Sequence, residues 1–258
     1  DDLKRLERAS DALRPLRLAW VDSAGPGREL PAAGCGVWLS RKIGLDLALT
    51  RLNPEHPCPF LVSLDADTLV QANYLPTLHR HFAARREGGA VIPFAHRPAE
   101  TPSAQQAIDR YELFLRHYVF GLNLAGSPYA YHTVGSALAC RAEIYAQAGG
   151  MNRRAAGEDF YFLQQVAKIG GVAGVSGTVV HPSPRPSNRT PFGTGPSVAR
   201  LLAGDIAAVR FYHPDCFRLL GQWLTLVAKN PALAGDELTG RAEALSEELA
   251  AHLRQVGF

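Results

Sequence analysis

LVSLDADTLV, Leu61 to Val70, is the stretch on which the reading of this chain turns. A short apolar run bounded by turn formers reads as a buried strand, and here two aspartates one residue apart, Asp65 and Asp67, close it. Open α/β sheets gather their ligands at the carboxyl ends of their strands. Two carboxylates at such an end suit a divalent metal, because carboxylate oxygens are the hard donors that magnesium and manganese prefer.

Working outward, apolar runs alternate with helical periodicity. The pattern predicts helices over Leu3 to Leu13, Val37 to Leu52, Asn73 to Arg86, Ala104 to Leu124, Ala142 to Gly150 and Gly157 to Ile169. It predicts strands at Leu16 to Val21, at the quoted stretch, at Ala90 to Phe94, at Thr133 to Arg141 and in the run ending at His181. Strands alternating with helices imply an α/β fold with a mostly parallel central sheet flanked by helices. From Val198 the chain reads as helical, so the expected division is 1–197 for the α/β domain and 198–258 for a C-terminal helical segment packed on it. The stripe Tyr111, Phe114, Leu115, Tyr118 and Leu122 on the long helix reads as core packing.

The bulk numbers exclude several classes. The chain has 258 residues, 47% of them hydrophobic and 20% charged, which describes an ordinary globular protein able to bury a full core. A formal charge of +3 is too small to argue for nucleic acid. Cys35, Cys58, Cys140 and Cys216 are widely spaced, which predicts neither a zinc site nor a disulfide framework. No apolar run is long enough to span a bilayer, and the expected location is the cytoplasm or the inner membrane surface.

Two families write a metal site as DxD. The LDADT segment matches letter for letter the nucleophile motif of haloacid dehalogenase-type phosphatases, in which the first aspartate attacks phosphorus and the second acts as acid and base. That resemblance is local: the lysine and later acidic pair it requires are out of order here, since Lys168 follows Glu158-Asp159. More of the chain, from Leu16 to about Pro196, resembles a family 2 glycosyltransferase of the GT-A fold. The resemblance rests on the order of GVWLSRKIGLDLA (36–48), LDADT, GSALACRAEIYAQAGGMNRRAAGEDFYFLQQVAKIG (135–170) and VVHPSPRPSNRTPFGTG (179–195).

That resemblance implies transfer of a sugar from a nucleotide-diphosphate donor to a hydroxyl acceptor on a glycan, lipid or small molecule, helped by Mn2+ or Mg2+. It implies Asp65, Asp67 and His181 as metal ligands, with Asp65 also on the donor side. Asp159 is the expected general base of an inverting reaction, with Glu158 beside it orienting the acceptor. Arg41, Arg185 and Arg189 are expected on the donor diphosphate, the last two from a loop dense in turn formers. The cluster Tyr129, Tyr131 and His132 falls where the acceptor pocket is expected, without individual roles. The family's opening strand-helix-strand does not precede Leu16, so part of the nucleotide pocket is expected to be missing or to come from a partner subunit or second copy. A noncatalytic module of the same fold is the third reading.

Overall fold

The computed structural model describes residues 18–23, 25–30, 36–154, 156–188, 190–191 and 193–258. The expected first helix and the residue Arg189 lie outside these.

Helix α1 (Val37–Leu49) precedes strand β1 (Phe60–Ser63), and the DxD turn then leads to the short β2 (Leu69–Val70). Helix α2 (Tyr74–Ala84), strand β3 (Gly89–Val91) and the long helix α3 (Pro102–Leu124) follow. Thr101 caps α3 by accepting the Ala104 N–H, and Pro102 occupies the first turn, where a missing N–H costs nothing. Strand β4 (Leu138–Arg141), helices α4 (Ala142–Gln147) and α5 (Glu158–Gly170), and strands β5 (Val172–Gly174) and β6 (Val180–His181) complete the α/β part. Helix α6 (Thr194–Leu202) runs through the division expected at 197/198. A 3-10 turn (Ile206–Ala208) and helices α7 (Pro214–Lys229), α8 (Gly235–Glu243) and α9 (Glu247–Val256) end the chain.

The sheet corrects one expectation. Its order is β1-β4-β3-β5, and β4 runs antiparallel to both β1 and β3, leaving β3 and β5 as the parallel pair. Among the described residues the sheet is therefore mixed rather than mostly parallel. A separate antiparallel ribbon pairs β2 with β6, setting Leu69 opposite His181. Leu18 to Val21 is irregular and exposed rather than a strand. Only Leu138–Arg141 of the long run from Thr133 forms a strand, because a turn closed by the Ala137 N–H donating to the Val134 carbonyl at 2.8 Å precedes it.

Both faces of the sheet are covered. On one side Trp38, Leu45, Leu61, Leu138, Tyr145, Phe162 and Val166 form a core between α1, α4, α5 and the strands. On the other, Tyr74, Leu78 and Phe82 of α2 pack on Ala90, Ile92 and Ala139. The aromatic stripe of α3 packs as expected, with Tyr111 and Leu122 buried and Phe114 and Tyr118 against Phe211, Tyr212 and Phe217. Helices α8 and α9 form a smaller apolar cluster of Ala242, Ala250 and Leu253 against Trp223.

Candidate active site at the acidic edge of the sheet

The turn after β1 is closed by the Thr68 N–H donating to the Asp65 carbonyl at 3.0 Å, which keeps Asp65 and Asp67 at the strand end. Arg41 of α1 reaches this turn. Its guanidinium donates through Nη2 to Asp65 Oδ1 at 2.5 Å and through Nη1 to Glu158 Oε1 at 2.6 Å. Arg41 and Glu158 are nearly buried, with 11% and 8% of their side chains exposed, whereas Asp65 keeps 43%. One arginine thus ties the DxD turn to the start of α5. The loop 133–136 lies over it: a Cβ at Gly135 would collide with the Arg41 guanidinium, so a larger residue there would have to displace the bridge.

Asp159 follows Glu158 in the first turn of α5, where the helix dipole favours acidic groups. Burial, and then the neighbouring Glu158 charge, push its pKa up to about 6, with Arg41 pulling the other way. A carboxyl titrating near neutrality is matched to accepting a proton from a hydroxyl. The Asn152 side-chain amide donates to the Glu158 carbonyl at 2.8 Å and holds the entry to the helix. Tyr111 of α3 feels the Asp159 charge and has its hydroxyl engaged by Thr194, while burial raises its pKa to about 12.

Asp67 has different company. The Arg185 guanidinium pairs with its Oδ2 at 2.8 Å, and Arg97 Nη2 donates to its backbone carbonyl at 3.1 Å. Arg97 carries no motif in the sequence, yet it follows β3 by a few residues, and the rule that ligands collect at strand ends would have pointed to it. His181 stands on the ribbon opposite Leu69, which is two residues along the chain from Asp67, and its Nδ1 is 2.9 Å from the Ala95 carbonyl. A carbonyl can only accept, so Nδ1 carries the proton and Nε2 the lone pair, the tautomer a metal ligand needs.

The structure therefore brings Arg41, Asp65, Glu158 and Asp159 together, and gathers Asp67, Arg185 and Arg97 beside them. His181 does not complete a ready metal cage. Among the described residues no group of three or more His, Cys, Asp and Glu side chains stands close enough to hold an ion. The donor chemistry nevertheless fits a hard dication. Asp65 and Asp67 each engage a guanidinium through one carboxylate oxygen, leaving the other for a cation, and magnesium-type ions commonly bind through one or two carboxylates plus substrate phosphate. Among the buried polar atoms of the described residues without hydrogen-bond partners, Arg41 Nε, Thr68 Oγ1, Arg97 Nε and Asn152 Oδ1 belong to residues of this edge, and others, such as Arg110 Nε and Thr239 Oγ1, lie elsewhere.

In the expected acceptor region, the Tyr131 hydroxyl donates to the Leu163 carbonyl at 3.2 Å, and His132 packs edge-on against Phe94 with its pKa lowered by burial. Tyr131 thus braces α5. A groove lined by Leu124, Phe217, Gly221, Thr225 and Leu226 lies between the end of α3 and α7, away from this acidic edge. Among the described residues no helix is long and apolar enough to cross a membrane. No protein-family model, no curated protein and no solved structure matches this chain.

Proposed function

We propose that this edge transfers a sugar from a nucleotide-diphosphate donor to a hydroxyl acceptor, with inversion, and that the fold is of the GT-A type. The observation that carries the reading is the Arg41 bridge, which joins Asp65 of the DxD turn to Glu158 beside Asp159 across sequence separations of 24 and 117 residues. Leaving-group and acceptor chemistries need acidic groups side by side, and the bridge supports that arrangement.

Asp65 and Asp67 would hold Mn2+ or Mg2+, with His181 as the further ligand. The ion supplies Lewis-acid neutralisation of the charge that grows on the departing diphosphate. Arg41 keeps the Asp65 carboxylate aimed at the strand end. Asp159, held protonatable near pH 6 by burial, takes the acceptor proton as the hydroxyl attacks, and Glu158 fixes the helix start that presents it. Arg185, on the loop after β6, is poised to leave Asp67 for the donor's phosphates when these arrive.

The phosphatase reading is supported less well. Lys168 belongs to the last turn of α5, about 15 Å along the axis from Glu158 at the usual helical rise, too far to serve a phosphate at the DxD turn.

Calorimetric titration of UDP and GDP, with and without Mn2+, into wild type and Asp67→Ala tests the proposal. Manganese-dependent binding that Asp67→Ala abolishes is expected, and the preferred nucleotide names the donor base. A folded protein that binds neither nucleotide but hydrolyses phosphomonoesters with Mg2+ would make it a phosphatase. One that does neither would be a noncatalytic module.

A further inference from the structure

We propose that Arg97 is a diphosphate-binding residue: a guanidinium locked beside the DxD turn that receives phosphate oxygens of the bound donor. The inference rests on the sugar-transfer reading above and adds a residue to it.

The backbone that carries Arg97 is held firmly. The Ala95 N–H donates to the Val180 carbonyl and the Arg97 N–H to the Pro182 carbonyl, both at 3.0 Å, so residues 95–97 run as an extra rail along β6. Phe94 and Val180 form a parallel bridge at the start of that rail. The side chain then crosses to the turn, where Nη2 donates to the Asp67 carbonyl. Held at both ends, the guanidinium has little freedom left to lose on meeting a ligand.

Its charge is what needs explaining. The other arginines of the site face carboxylates, Arg41 facing Asp65 and Glu158 and Arg185 facing Asp67. Arg97 pairs with no carboxylate among the described residues, and its Nε is buried without an acceptor. A buried donor left unmet is disfavoured, and each one in a native protein calls for an explanation. The second independent sign is the company it keeps: Thr68 Oγ1 and Arg41 Nε, at the same turn, are also buried and unmatched. Together they describe a place that wants an anion rich in acceptor oxygens. The planar fork of arginine suits a phosphate, and Asp67 beside it would hold the cation that such an anion also needs.

Arg97 differs from Arg185 in mobility of role. Arg185 is more than half exposed and sits on Asp67 itself, so it must exchange partners when ligand arrives. Arg97 keeps the Asp67 carbonyl and offers its remaining donors, so both arginines act on one anion without competing.

The test is calorimetry on wild type, Arg97→Gln and Arg97→Lys with three probes: Mn2+ alone, UDP with Mn2+, and inorganic pyrophosphate with Mn2+. Loss of a charge-assisted contact should weaken UDP and pyrophosphate by about tenfold to a hundredfold in Arg97→Gln, while Mn2+ alone binds as tightly as in wild type or slightly more tightly. Should Arg97→Gln fail to fold, Arg97→Lys keeps a donor for the Asp67 carbonyl but loses the fork, and about a fivefold weakening of both diphosphates is expected. Equal losses for Mn2+ alone and for the diphosphates would mean that Arg97 only shapes the turn, which overturns the proposal. Unchanged diphosphate affinity in a folded variant overturns it as well, leaving the transfer reading intact. A wild type that binds no diphosphate with Mn2+ overturns both.

Discussion

Two glycines mark two kinds of joint. At Gly135 the chain closes over the Arg41 guanidinium, and at Gly121 of α3 it closes over the Phe217 ring of α7; a Cβ at either position would collide with what lies beneath. The first joint seats a charge bridging two acidic segments distant in sequence. The second seats an aromatic ring that fastens the C-terminal helices to the long helix. The polar joint is directional and costly to break, since removing one partner strands a buried charge. The apolar joint is additive and forgiving, since its strength follows area and fit. The protein assembles its candidate chemistry with the first and its architecture with the second.

The difference can be broken most severely at Arg41. Arg41→Ala leaves Glu158 buried without its cation, and unfolding in denaturant should show a loss of about 4 kcal/mol. A loss below about 0.5 kcal/mol would mean that the charges do not rely on each other. Arg41→Lys should recover only part, because one ammonium cannot serve two carboxylates as the fork does.

Next comes the apolar joint. Phe217→Ala removes a ring that is 7% exposed and should cost about 3 kcal/mol, while metal-dependent nucleotide binding stays as in wild type. If nucleotide affinity falls in step with stability, the two joints are not independent.

Asp159→Asn should act in the opposite direction. The folded carboxyl titrates near pH 6 against about 3.9 for an unfolded aspartate, so the native state holds the proton more tightly. Stability from this group is therefore fullest below about pH 4 and is lost as pH rises through about 6. At pH 8 the amide should make the protein more stable by about 1 to 2 kcal/mol, with the gain fading towards pH 4, while the proposed sugar transfer should be lost. Thermal melts at pH 4.5 and 8 check the sign; a gain independent of pH would refute the cause. In the wild type, the proposed transfer should rise with pH along a limb centred near 6.

The smallest effect sharpens the comparison at its far end. Ser246 caps α9 by accepting the Leu249 N–H at 3.2 Å, so Ser246→Ala should cost about 1 kcal/mol, seen as faster amide exchange in α9 alone.

Much of this architecture is legible in the order of the residues. The helices from α1 to α5 lie where apolar periodicity puts them, because a buried stripe demands that spacing whatever it packs against. Sheet direction is not legible: β4 is buried along most of its length, and a strand covered on both faces carries no mark of which way its neighbours run. Leu16 to Val21 has the composition of a strand, but Leu18 to Val21 meets no partner strand among the described residues and is irregular. Asp65, Asp67, Glu158 and Asp159 announce themselves by motif and position. The Arg41 bridge and the Arg97 rail do not, since both depend on contacts between segments far apart in sequence.

Helix α5 is pinned at both ends. Its first residue is tied through Arg41, and its last meets the backbone just before β3, with the Gly88 N–H donating to the Gly170 carbonyl at 2.7 Å. Between them lies a strut of 13 residues, about 20 Å long, held at its first and last residue. Asp159 rides on that strut as a fixed stop. Under the proposed transfer, a hydroxyl would have to be brought to the carboxylate by the acceptor's own fit, so the reach of the acceptor molecule would decide what gets modified.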